Sequence, residues 1–180
     1  MLINSDESCL LIVDIQSRLL PVMADPDAVV GNTRLLMRAA GRLGVPVLAS
    51  EQYPRGIGHT VSPVAELLPD NSVVEKMHFS CLREDFFADR LEALGRRQAV
   101  VAGIEAHVCV LQTADDLVSA GYDVFVVADA TSSRTHANHQ AALARLEAAG
   151  AHLVTTEMVV FEWMAKAGTP EFRELVALIK

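Results

Sequence analysis

The chain has 180 residues, 51% of them hydrophobic and only 5% aromatic, which suits one domain over 1–180 with a sizeable core. A formal net charge of −8, with no basic run of five residues, argues against a nucleic-acid partner, because phosphate binding needs clustered Lys and Arg. No apolar run approaches the roughly 18 residues that span a bilayer, the start MLINSDESCLLIVDIQ lacks the basic opening of a secretory signal, and three scattered cysteines without a C-x-x-C pair suit a reducing cytoplasm.

The first predicted strand is CLLIVD (9–14), which ends on Asp14. A helical pattern over 29–43 stops at Gly44, and VPVLAS (45–50) follows as the second strand. The segment 51–71, EQYPRGIGHTVSPVAELLPDN, reads as the longest irregular stretch, and loops of that length in compact domains often bind ligands. SVVEK (72–76) closes a third strand on Glu75 and Lys76, and a helix covers 85–94 up to Gly95. AVVAGI (99–104) leads through Glu105, Ala106 and His107 into a helix over 109–120 that opens on Cys109 and stops at Gly121. DVFVVAD (123–129) ends at Asp129, a helix spans 136–149 before Gly150, AHLVTT (151–156) is the last strand, and short helices over 159–166 and 170–179 follow. Glycine after a helix supplies the left-handed C′ residue without steric cost. Strands without polar alternation are buried on both faces, as in parallel sheets, so the expected architecture is a three-layer αβα sandwich around a mostly parallel six-stranded sheet.

Ligands of open parallel sheets bind beyond the carboxyl ends of the strands. Asp14, Lys76, Asp129 and the turn before Cys109 therefore become candidates together. A cysteine in the first turn of a helix meets unpaired N–H groups and the positive dipole end, which favour thiolate, and a nearby Lys76 ammonium would lower its pKa further. Asp14 would accept the thiol proton and return it to a leaving group. The tight segment 103–108 would aim backbone N–H groups at one point as an oxyanion hole. The competing reading makes Cys109 a small buried hydrophobe, Asp14 a helix cap and Lys76 a solvated charge.

The set IVDIQ (12–16), EKMHFSC (75–81) and VVAGIEAHVCVLQTADDL (100–117) resembles the isochorismatase-like cysteine hydrolases, the group that contains nicotinamidases and N-carbamoylsarcosine amidases. The resemblance runs from about residue 8 to residue 165, and its most specific part is the block G-I-x-x-x-x-C-V-x-x-T-A. It implies a Rossmann-like αβα fold and a triad of Asp14, Lys76 and Cys109 acting through a thioester. It also implies a non-proline cis peptide at Ile104–Glu105, with the N–H groups of Glu105 and Cys109 forming the oxyanion hole. Two departures matter. Ala106 stands where many relatives have threonine, and the Asp-x-His cluster of metal-binding nicotinamidases is replaced by SEQYPRGIGHT, where His59 alone cannot assemble a divalent site. Neither a catalytic metal nor any other cofactor is expected. The EQYP-x-G-x-G-H-T loop resembles the branch of isochorismatase domain-containing proteins. Relatives are commonly dimers or larger, so a homo-oligomer is implied.

Gln16, Tyr53, His78, Phe79, His107 and Val108 are candidates to line a pocket for a small molecule, with Phe161 and Trp163 as further apolar wall or as a subunit contact. Cys81 lies five residues after Lys76, but nothing places it at a helix start; Cys9 falls within the first strand. His136 and His139 share a helix face yet lack further ligands, and Asp129 reads as a cap. The expected activity is hydrolysis of a small amide, imide or related carbonyl compound. Ether or ester hydrolysis of the isochorismatase type, and a catalytically idle oligomeric scaffold, are the alternatives. No G-x-G-x-x-G turn is present to hold a dinucleotide.

Overall fold

The structure, a computed structural model, describes residues 1–179. Six strands, β1 (Ser8–Val13), β2 (Val47–Gln52), β3 (Val73–Lys76), β4 (Gln98–Ile104), β5 (Asp123–Ser132) and β6 (His152–Val154), form one parallel sheet in the order β3-β2-β1-β4-β5-β6. The helices are α1 (Pro26–Leu43), the single turns α2 (Pro54–Ile57) and α3 (Ser62–Ala65), α4 (Asp85–Ala93), α5 (Leu111–Ser119), α6 (His136–Ala148), α7 (Thr156–Met164) and α8 (Pro170–Ile179).

Successive side chains of a strand point to opposite faces, and here both faces are filled. Leu10, Ile12, Val100, Ala102, Phe125 and Val127 pack against α1, α7 and α8. Cys9, Leu11, Val13, Val101, Val124 and Val126 pack against α4, α5 and α6. Each fully buried Leu, Ile or Phe in these layers contributes about 1.5–3 kcal/mol, which explains why the strands read as unbroken apolar runs. The chain thus adopts the Rossmann-like α/β fold, with the sheet order reversing between β1 and β4.

The expected segments differ from the structure in several places, of which these bear on the site. Strand β2 continues through Glu51 and Gln52, and 51–71 holds two helical turns, so less of that stretch is irregular than its Gly and Pro content suggests. Strand β5 runs past Asp129 to Ser132, with a register shift between Val101 and Gly103 in its ladder with β4. Helix α7 starts at Thr156 rather than Val159, because Thr155 caps it and Asp129 Oδ1 accepts from the Thr156 N–H at 2.8 Å. Within β4, as expected, Gly103 pairs with Val13 inside the sheet. A Cβ there would overlap the Val13 carbonyl oxygen and lie 2.6 Å from its nitrogen, and the residue has φ +123°, so only glycine lets β4 approach the end of β1 this closely.

Candidate active site

The crevice between β1 and β4 is where the crossover direction changes, and ligands of open α/β sheets bind at that point. Asp14 follows β1 directly, in the left-handed region with φ 51°, its N–H donating to the Ser50 carbonyl at 3.2 Å. A non-glycine residue held there carries a conformational cost that neighbouring structure must impose. On the other side of the crevice the Ile104–Glu105 peptide is cis. The chain then makes one π-helical turn, Ala106–Val110, before α5, so Cys109 sits inside that turn rather than at the first residue of an ordinary helix.

Asp14, Lys76 and Cys109 converge. The Asp14 and Lys76 side chains are fully buried, with Nζ 2.7 Å from Oδ2. Lys76 Nζ also donates to Gln52 Oε1 at 2.6 Å and to the Phe79 and His78 carbonyls at 3.1 and 3.3 Å. Three ammonium protons face four acceptors, so the cation is committed within the protein and acts mainly through its charge. Burial pulls the Lys76 pKa down, but the Asp14 carboxylate and the Cys109 and Cys81 sulfurs outweigh it and hold it above the ordinary lysine range. Ser50 Oγ donates to Asp14 Oδ1 at 2.7 Å. Oδ2 faces the Lys76 ammonium, so both carboxylate oxygens are engaged.

The surroundings of the thiol act on it in opposite directions. Burial pushes the Cys109 pKa up strongly, and Asp14 acts in the same direction; Lys76 lowers it without compensating. Removal from water at a residue only 5% exposed opposes the thiolate that a helix start would favour. Cys81 is also buried, with its pKa pushed up to about 11 mainly by burial, and its N–H donates to Thr113 Oγ1 at 3.0 Å. Cys9 lies in the core.

The candidate pocket residues divide. Tyr53 lines a cavity of about 270 Å³ with Arg55, Glu75, Lys76, Met77 and Glu84. Phe79 is exposed and not part of that lining, and Val108 is half-buried. His78 is exposed and pairs with Glu84 at 2.8 Å. Gln16 is fully buried: its Nε2 donates to the Gln52 and Gly58 carbonyls at 3.0 and 2.6 Å, while Oε1 accepts from the Gln52 N–H at 2.7 Å. It clamps the segment after β2 and has no polar atom left for a ligand. His107 Nδ1 lies 2.9 Å from Ser133 Oγ, and Nε2 lies 3.4 Å from Asn138 Nδ2, which ties the π turn to α6. Phe161 and Trp163 are not in the site. Trp163 Nε1 donates to Ser8 Oγ at 3.1 Å, at the start of β1 and so at the opposite end of the sheet, where a cavity of about 690 Å³ lies between the N-terminal segment and α7.

His136 and His139 go to different partners, Asp25 at 3.5 Å and Thr131 at 2.9 Å, and His59 pairs with Glu51. Among the described residues no group of three or more His, Cys, Asp or Glu is arranged to hold a metal, and no helix is long and apolar enough to cross a membrane. Ser50, Gln52 and Arg134 are the site residues that sequence reasoning missed. Ser50 and Gln52 carried one faint signal, polar side chains two apart at the end of an apolar strand.

The family model described as the Isochorismatase domain matches residues 8–158. A secreted isochorismatase effector of Phytophthora sojae is 38% identical over 177 residues, covering 96% of this chain and 84% of that protein. The MAR1 ribonuclease of Caenorhabditis elegans superposes with a TM-score of 0.93 at 36% identity, over 99% of this chain and 92% of that one. The YcaC gene product of Escherichia coli, an octameric hydrolase of unknown specificity, superposes with a TM-score of 0.90 at 26% identity, over 99% of this chain and 87% of that one. The chain belongs to the isochorismatase family of hydrolases.

Proposed function

We propose that this protein is a metal-independent cysteine hydrolase that cleaves a small amide, imide or related carbonyl compound through an acyl-enzyme on Cys109. The observation that carries the reading is the fully buried Asp14 carboxylate, held between the Ser50 hydroxyl and the Lys76 ammonium and acting on the Cys109 thiol. A carboxylate so placed is a base in waiting for the raised Cys109 thiol. As Sγ bonds the carbonyl carbon, the thiol proton passes to Oδ2 and the carbonyl π pair moves to oxygen, facing the N–H groups of Glu105 and Cys109. The pair returns as the amine leaves with the proton from Asp14. Water then attacks the thioester, giving a proton to Asp14; Asp14 returns it to the sulfur as the acid departs. Lys76 stays beside Asp14 and offsets its negative charge between these transfers.

The ribonuclease activity of one relative is not carried over, since a net charge of −8 without a basic run offers no phosphate track. We also propose a cytoplasmic homo-oligomer of dimer size or larger, supported by three free thiols, by the octameric relative, and by exposed Tyr53, Met77, Phe79 and Phe86. The test of the activity is a panel of amides and imides screened for release of ammonia or amine. The wild type should turn over at least one of them and Cys109→Ser none; equal turnover by the variant would assign the chemistry elsewhere.

A further inference from the structure

Glu105 carries a contradiction. Its backbone N–H is a proposed donor to the oxyanion, yet its own carboxylate is 8% exposed in the same turn. A buried negative charge on the residue whose N–H would face a developing oxyanion opposes that charge, and more so where water is excluded. Arg134 meets this carboxylate with a fork: Nε lies 3.2 and 3.1 Å from Oε1 and Oε2, and Nη2 lies 3.1 Å from Oε1. Arg134 stands between the end of β5 and Thr135, the cap of α6. The adjoining Ser133 and Asn138 hold His107, whose Nε2 is 3.9 Å from Glu105 Oε2. Three side chains of the β5–α6 connection and the first turn of α6 thus grip the turn that precedes Cys109.

We infer that Arg134 is a positioning residue for acylation, which neutralises the Glu105 carboxylate and holds the Glu105 peptide where carbonyl charge develops. The inference rests on the cysteine-hydrolase reading above. Arg134 acts through Glu105 and touches neither substrate nor sulfur. Its guanidinium is 60% exposed, so the attraction is partly screened, but the charge it balances is buried, and removing it leaves that charge without its partner.

Two reagents of known chemistry separate this role from a structural one. With 4-nitrophenyl acetate, Sγ bonds the acetyl carbon, the thiol proton goes to Asp14 and then to solvent, and the carbonyl pair moves to oxygen and back as 4-nitrophenolate leaves. With methyl methanethiosulfonate, a sulfur–sulfur bond forms as methanesulfinate departs, and no carbonyl oxygen gains charge. Peptide mass mapping assigns both products to Cys109. Arg134→Ala should slow acetylation by about tenfold, below the hundredfold or more that follows loss of an oxyanion donor itself, while the thiosulfonate rate stays within about twofold because a partly exposed charge acts weakly at the sulfur. Arg134→Ala combined with Glu105→Gln should recover most of the acetylation rate, since the unbalanced charge is gone and the backbone donor remains. Unchanged acetylation in Arg134→Ala, equal slowing with both reagents, or a double variant as slow as the single one would each overturn the inference. A wild-type Cys109 inert to both reagents would overturn the cysteine-hydrolase reading itself, and the inference with it.

Discussion

Lys76→Met removes an ammonium from a fully buried site and leaves the Asp14 carboxylate with one donor, the Ser50 hydroxyl at 2.7 Å. Methionine fills much of the lysine stem's volume, so the loss is chiefly electrostatic. Breaking one side of a buried ion pair costs about 3–5 kcal/mol, a large share of the roughly 5–15 kcal/mol that holds a domain folded. With a urea slope of about 2 kcal/mol/M, the unfolding midpoint should fall by about 2 M. The partner variant fixes the cause: Asp14→Asn in the Lys76→Met background removes the stranded charge and should restore about 2 kcal/mol or more. Urea unfolding followed by circular dichroism at pH 7 measures both. A loss below about 1 kcal/mol in Lys76→Met, or a double variant less stable than the single, would show that the buried pair is not organised as described. The pH dependence follows from the raised Lys76 pKa. The folded state binds this proton more tightly than the unfolded chain, so the contribution is fully present below the ordinary lysine value of about 10.4 and fades as pH rises through the higher folded value.

Gly103→Ala places a methyl against the Val13 backbone at φ +123°; overpacking and left-handed strain together should cost about 2–5 kcal/mol, and a urea midpoint within error of wild type would refute the close β1–β4 approach. The raised Cys109 pKa predicts that alkylation by iodoacetamide keeps accelerating from pH 7 to above about 8.5, the ordinary cysteine value, without a plateau; saturation near neutral pH would reveal a resting thiolate instead. Asp14→Asn should lower turnover of any amide found in the panel by at least about a hundredfold, at the low end for loss of a positioned base, and retained turnover would remove Asp14 from the proton path. Prolonged chelation should leave that turnover intact, and a loss restored by a divalent cation would contradict the metal-free mechanism.

Much of the fold is legible because strands buried on both faces must be apolar throughout, and helices between them end at residues such as Gly44, whose φ of 71° favours glycine. Convergence of Asp14, Lys76 and the Cys109 turn is legible for a related reason: parallel strands deliver their carboxyl ends to one rim. What escapes is set by tertiary contact. Ser50 reads as the last residue of a strand and Gln52 as part of a loop, yet both serve a buried ion pair that only tertiary contact assembles. The Glu105–Arg134 fork joins residues 29 apart, and nothing in either segment marks the other. The burial of Cys109, which opposes a thiolate, is likewise a tertiary effect that local helix electrostatics cannot reveal. Trp163 is an aromatic suited to a pocket wall, but its indole N–H finds Ser8 at the far end of the sheet.

The most direct measurement is intact-protein and peptide mass spectrometry after a brief exposure to 4-nitrophenyl acetate, quenched in acid. One acetyl group on Cys109, absent in Cys109→Ser and decaying on return to neutral pH, is the predicted result. Acetylation confined to Cys81, Lys76 or surface lysines, with Cys109 unmodified, would contradict sulfur attack at this site.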